Sequence, residues 1–277
     1  MRFPIACGAL FLTAIPSFAA KRIQMDVTEI ATNKVTSQEI LIDNARLRIN
    51  MGDTSVMFLT VGGSRMVMLD KKKNEYQVID QATMDQMGQM MQSVAPQLQA
   101  AQAQMAEAMK NMPPEQRAMM EKMMKGKMPG ATPAAAPVQT VFTAKGGGSA
   151  NGFKCTNYVG MRGTEKVEEL CASQASDLKL AVTDYQVYDK MREFTAGLMK
   201  ALQNSALTSG ISANFTQTGV QGFPVQTTTF SNGKAATRTD VKSVSDVSLT
   251  DADFSTGNAK KMEIAIPNMA GRGAKGK

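Results

Sequence analysis

The side chains best placed to do chemistry are thioethers. Nearly half of the 23 methionines fall between residues 81 and 127. Met84, Met87, Met90 and Met91 recur at three- and four-residue spacing, and Met119, Met120, Met123 and Met124 do the same. On a helix each set shares one face. Soft sulfur ligands select Cu(I), which makes Met84, Met87, Met119, Met120, Met123 and Met124 a candidate metal set. No His or Cys stands nearby to complete it. Methionine is also flexible and polarizable, so a Met-lined surface can repack around varied apolar molecules. At helical spacing it also serves as ordinary core packing.

Histidine is absent. That removes Ser-His-Asp and Cys-His nucleophiles and nearly all catalytic zinc sites. The run Gly146-Gly147-Gly148 lacks the Gly-Lys-Ser/Thr of a phosphate loop. No carboxylate pair in a catalytic pattern stands out, so the reading is a protein that is not an enzyme and needs no cofactor. Net charge is +7, and much of the excess sits in the tail, at Lys260, Lys261, Arg272, Lys275 and Lys277. Trp is absent and aromatic residues make up 5% of the chain. With so few rings to stack bases, no nucleic-acid partner is expected.

The elements that would hold these side chains are read from periodicity. Residues 21–31, 39–51, 55–61, 64–70 and 75–80 alternate or run apolar as strands. Gly62-Gly63 suits a two-residue hairpin turn, pairing Val56 with Leu69 and Phe58 with Val67, with both faces apolar and both covered. The first eighty residues thus form an antiparallel meander. Composition then shifts to Met, Gln and Ala over 81–127, an amphipathic helical insert interrupted at Pro96 and restarted at Pro114. Residues 128–139 are a Pro/Ala linker. Strands resume at Thr140. Thr183 is expected to cap a helix from about Asp184 to Leu202, with Val187, Tyr188, Met191, Phe194, Leu198 and Leu202 on its apolar face. Asn232-Gly233 turns a final hairpin.

The N-terminus reads as a secretory signal peptide. Arg2 precedes an apolar run from Phe3 to Ile15, and Ser17-Phe18-Ala19 carries small residues where a signal peptidase reads them. Cleavage is expected after Ala19, with Ala20 nearly as good a site, releasing a periplasmic protein. No other stretch is long and apolar enough to span a membrane. In an oxidising compartment Cys155 and Cys171 should pair. Folding residues 152–173 about Gly163 sets Cys155 opposite Cys171 and Val159 opposite Val167 on one face. A staple closing so short a loop adds roughly 3 kcal/mol, and the wide spacing argues against a redox pair.

Three stretches carry a resemblance. They are Arg65–Asp80; Gly152-Phe153-Lys154-Cys155-Thr156-Asn157-Tyr158; and Gly222-Phe223-Pro224-Val225 through Ser231-Asn232-Gly233-Lys234. With the helix start Pro114-Glu115-Gln116-Arg117, they make most of residues 36–255 resemble an uncharacterised bacterial family of exported domains of unknown function. That family is distantly related in fold to LolA-type lipoprotein carriers. The resemblance implies an α+β fold: a curved antiparallel sheet, or half β-barrel, with helices on the concave face and a Met-rich helical insert. Residues 20–257 would be the single domain, with 258–277 a basic, flexible tail. The resemblance further implies an apolar groove that takes a lipid or lipoprotein acyl chain under a Met-rich lid. Its candidate lining is Met84, Met87, Met91, Met105, Met109, Met119, Met120, Met123, Met124, Phe194 and Leu198. No protein partner is legible, and a structural or partner-binding envelope protein is a further alternative to the lipid and Cu(I) readings.

Overall fold

The computed structural model describes residues 20–89, 140–202 and 219–263, with the isolated positions 100, 104, 107 and 113. The segment read as a signal peptide, most of the Met-rich stretch, the Pro/Ala stretch and the end of the chain lie outside the described residues. Twelve strands run in chain order: β1 (Ala20–Glu29), β2 (Lys34–Ile42), β3 (Arg46–Met51), β4 (Thr54–Leu59), β5 (Arg65–Asp70), β6 (Glu75–Asp80), β7 (Thr140–Ala150), β8 (Phe153–Arg162), β9 (Glu165–Ser173), β10 (Phe223–Ser231), β11 (Lys234–Val247) and β12 (Lys260–Lys261). Residues 81–89 are helical and are named α1; α2 is Val182–Leu202. A 3-10 turn spans Asp251–Phe254.

All twelve strands join one open, curved sheet in the order β12-β6-β5-β4-β3-β2-β1-β11-β10-β9-β8-β7. Every pairing is antiparallel except the short parallel contact of β12 with β6. Residues 20–80 are the expected meander. Turns across the sheet are built from residues that tolerate the left-handed region: Asn33, Asn74, Asn151 and Asn232 have φ of +51° to +54°, where Asn is the least strained residue after Gly. Residues 39–51 divide into β2 and β3 because the Asp43 carboxylate accepts the amides of Ala45 (3.0 Å) and Arg46 (2.8 Å), an Asx turn that competes with a continuous strand.

Two registers differ from the sequence reading. In the β4–β5 hairpin Phe58 faces Met66 and Val56 faces Met68, a slip of one residue from the pairing that a two-residue Gly-Gly loop would impose. The loop is longer, because the β4–β5 pairing closes at Leu59 and Arg65. The Thr60 amide and hydroxyl both donate to the Ala45 carbonyl, at 3.0 and 2.9 Å, on the β3 side. In the β8–β9 hairpin the turn is Gly163-Thr164, with Arg162 facing Glu165. A bulge beyond Met161 then sets Cys171 opposite Asn157, not Cys155, and Val159 opposite Glu169.

Register shifts occur in every ladder from β1–β11 to β7–β8, whereas those from β1 to β6 run unbroken. Bulges bend a strand and raise its local twist. The shift in β10 follows Pro224, where a residue without an amide fits a strand.

The core lies between one sheet face and the two helices. Ile23, Ile40, Ile42, Leu47, Ile49, Phe58, Met66 and Ile79 line that face and cluster with α1 and α2 side chains. The opposite face of β3 to β5 is also covered. Met57, Val67 and Leu69 are buried there, and residues 248–262 cross it as a strap. Arg46 lies 4.2 Å over the Phe254 ring and bonds Asp251 at 2.6 Å, while Arg48 donates to the Asp253 carbonyl at 2.6 Å. The strap ends as β12, where Lys260 and Met262 donate to Asn74 and Tyr76. The tail expected from residue 258 thus begins against the β6 edge, where Lys260 and Lys261 pair with Glu75 and Tyr76.

Asp240 on β11 ties three elements together. It accepts Asn151 (3.1 Å), Gln226 (2.9 Å) and Arg238 (2.9 Å). Burial works to raise its pKa, but these donors outweigh burial and the net shift is downward. A carboxylate with a lowered folded pKa contributes stability that is complete above its unfolded value near ~3.9. That stability is lost as pH falls through the folded value. Asp240→Asn should therefore flatten the acid limb of a Tm-against-pH curve below about pH 4. An acid limb as steep as wild type would mean that Asp240 is not a source of it.

Candidate functional site

The apolar sheet face under the helices is the candidate site, and its cover is positioned by two N-caps. Asp80, the last residue of β6, accepts the Thr83 amide (2.8 Å) and hydroxyl (2.7 Å), which starts α1 directly off the strand. These bonds hold the Asp80 carboxyl below its ordinary range. Met84 and Met87, three apart on α1, then fall on one face and are both buried. At α2 the expected Thr183 cap is not used. The helix begins at Val182, and the Asp184 carboxylate reaches back to the Ala181 amide at 3.4 Å, one arm of a capping box set two residues earlier.

Along α2, Val187, Tyr188, Met191, Phe194 and Leu198 are buried, as their helical spacing implies. Phe194 meets Phe58 of β4 at 5.6 Å between ring centres, tilted by 56°. Tyr188 meets Phe223 of β10 at 4.9 Å. Offset and tilted rings are the favoured arrangement for aromatic pairs. The two contacts pin α2 to strands from both halves of the sheet. Burial pushes the Tyr188 phenol up, although Arg192 opposes the shift from 5.9 Å. The Asp189 carboxyl is also raised by burial, against its 3.1 Å bond to Arg192. The Tyr185 hydroxyl accepts the Gly222 amide at 3.1 Å, anchoring the entry to β10.

Four of the residues read from the sequence as groove lining come together here. Met84, Met87, Phe194 and Leu198 belong to one cluster with Phe58, Met66 and Ile79. The other candidates, Met91, Met105, Met109, Met119, Met120, Met123 and Met124, lie outside the described residues. For the copper set, only Met84 and Met87 are described, and both side chains belong to this apolar cluster. Cys155 and Cys171 form the expected disulfide, with Cα atoms 5.3 Å apart. It runs diagonally between the strands, because the bulge moves Cys171 opposite Asn157. Cys171 backs the same cluster, so the cross-link braces β8 and β9 beneath α2.

The sequence reading missed the role of Phe58 as the strand-side partner of Phe194. It also missed Asp80, assigned only to the end of a strand; an Asp immediately before a Met-periodic run is a cap signal. Chemically, the face offers apolar, polarizable surface with two aromatic contacts, and its polar groups serve to hold the helices.

Truncating Phe194 to Ala removes a ring packed between helix and sheet and should cost about 3–5 kcal/mol, read by urea unfolding. A loss under about 1 kcal/mol would show that α2 is not held by this contact.

Residues 80–258 match the family model described as Domain of unknown function (DUF4412). No curated protein matches the chain. Among solved structures, it is similar to an uncharacterized conserved protein from Thermus thermophilus, at 7% identity and a TM-score of 0.42, covering 89% of this chain and 91% of that one. It is similar to PNGF-II at 8% identity and a TM-score of 0.39, covering 89% of this chain and 32% of that one. It is also similar to the Pseudomonas aeruginosa MucA/MucB complex at 8% identity and a TM-score of 0.33, covering 90% of this chain and 59% of that one. The chain thus spans about a third of the PNGF-II chain.

Proposed function

The chain belongs to the DUF4412 family, a domain of unknown function, and from that premise we propose that it is a non-enzymatic, exported protein that binds a hydrophobic ligand, a lipid or acyl chain, in a half-barrel groove. Residues 1–19 are its cleaved signal peptide, the periplasm its compartment, and residues 81–127 the lid.

The observation that carries this reading is the composition of the cover. The sheet face is apolar across both halves, and helices rather than a second sheet close it. Of the two helices, α2 is fixed by aromatic contacts to β4 and β10. The described turns of α1 are held by one carboxylate cap and two buried methionines. Unbranched thioether side chains give way with little rotamer strain and repack against alkyl chains of differing shape. Lifting α1 would uncover the Met66 and Ile79 end of the cluster, an elongated apolar surface suited to an alkyl chain. Among the described residues no helix is long and apolar enough to cross a membrane.

The test is native mass spectrometry of the mature protein from periplasm, followed by organic extraction and lipid analysis. A co-purifying lipid that is lost on deleting residues 82–128 is the expected result. Replacing Met119, Met120, Met123 and Met124 by Leu should keep lipid uptake, because apolar volume is conserved. The same replacement would abolish Cu(I) uptake. A clean apo mass that takes up neither lysophospholipid nor fatty acid overturns the proposal, and Cu(I) uptake in that state would favour the metal set.

A further inference from the structure

At the end of the sheet where β1 begins, a cavity of about 320 Å³ opens between Ala20, the β2–β3 turn (Asp43, Asn44), the first turn of α2 (Asp184) and the end of β11 (Val247, Ser248, Leu249). Two of its walls are carboxylates, and their situations differ. Asp43 is fully engaged: one oxygen takes the Ala45 and Arg46 amides, and the other takes Arg46 Nε (2.9 Å) and Nη2 (2.7 Å). Asp184 is 4% exposed, and its one bond among the described residues is the Ala181 amide at 3.4 Å. Lys21 is the nearby cation, but its ammonium is bonded to Asp246. Among the described residues, the cavity is therefore lined by a buried carboxylate with no cation of its own. Burying a charge without a partner is costly. Burial does push the Asp184 carboxyl above its ordinary range, with the Asp43 charge adding to the rise and the Ala181 amide and Lys21 opposing it.

The remaining wall is Ala20. It is the first residue of β1, buried, and paired with Val247. Of the two cuts the sequence offers, after Ala19 or after Ala20, the favoured one falls between Ala19 and Ala20. That cut hydrolyses one peptide bond: Ala19 leaves as a carboxylate and Ala20 gains an α-ammonium with three donors. We propose that this cavity seats the α-ammonium of the mature chain, with the Asp184 carboxylate as its counter-ion. The inference rests on the export reading above. It gives the charge arrangement a reason: Asp43 with Arg46, Lys21 with Asp246, and Asp184 reserved for a group that exists only after processing. It also links maturation to the fold, because the new terminus joins β1, at the sheet centre, to α2, the cover of the core.

The experiment uses the full chain with its own leader, purified from periplasm. Intact mass first locates the terminus. The rate of acylation of the α-amine by an amine-reactive ester at neutral pH is then read by mass spectrometry of the N-terminal peptide. Pairing raises an ammonium pKa, and one unit leaves tenfold less free amine, so wild type should react at least about tenfold more slowly than Asp184→Asn. A second variant carries one extra glycine ahead of Ala20, which displaces the charge and leaves every pocket side chain in place. Its amine should react as fast as that of a flexible peptide, and its Tm should fall by about 2–4 °C. A mature chain that begins elsewhere overturns the cut-site reading and the seat together. A chain that begins at Ala20, with equal acylation rates in wild type and Asp184→Asn and an unchanged Tm in the glycine variant, overturns the seat alone. Should Asp184→Asn fail to fold, the glycine variant decides.

Discussion

The structure depends on the ladder between β1 and β11. Residues 20–29 pair with residues 237–247 over ten positions, and this contact makes one twelve-stranded sheet out of two meanders. On one side lie β2 to β6, on the other β10 to β7. Without it, each meander would present an unpaired central edge, the kind of exposed ladder that invites misassociation. The partners are more than two hundred residues apart in the chain, so no local contact sets up this ladder, and its loop-closure entropy must be met by the sheet and core it completes. α2 depends on the same join, because its aromatic contacts reach Phe58 in one meander and Phe223 in the other.

The two meanders solve the problem of burial differently. The β3–β5 region is apolar on both faces and is covered twice, by helices on one side and by the 248–262 strap on the other. The β7–β11 region is polar on much of its outer surface, carries the bulges, and is stapled by Cys155–Cys171. The family match begins at residue 80, after the first meander, so it takes in the bulged half, the helices and most of the strap. The unbroken half supplies the other wall of the core.

Sequence reading reached the elements well and their registers poorly, for one physical reason. Alternation, Gly and Asn-Gly turns and helical stripes are local signals, and they located the β1–β6 meander, the hairpins turning at residues 62–63, 163–164 and 232–233, and the buried face of α2. Register is decided by single hydrogen bonds between distant residues. Thr60 continues the β3–β4 ladder to Ala45 while β5 starts only at Arg65, and the bulge in β9 arises in its pairing with β8. Likewise Thr183 is a good cap by type, but the tertiary position of Asp184 over the β1 end moves the helix start to Val182.

For the candidate site, the sequence by itself determined the cast: which helix faces are apolar, that Met84, Met87, Phe194 and Leu198 are core-facing, and that the two cysteines left after the N-terminal segment can bond. These follow from side-chain type and from the 2.0 and 3.6 periodicities, which any local conformation obeys. The tertiary structure alone decided who meets whom. It placed Phe58 under Phe194, set the disulfide diagonally, carried the strap across the back of β3, and brought Ala20, Asp43 and Asp184 to one cavity. The meetings across the two halves depend on the closure of β1 against β11, a contact between segments whose own sequences carry no mark of each other.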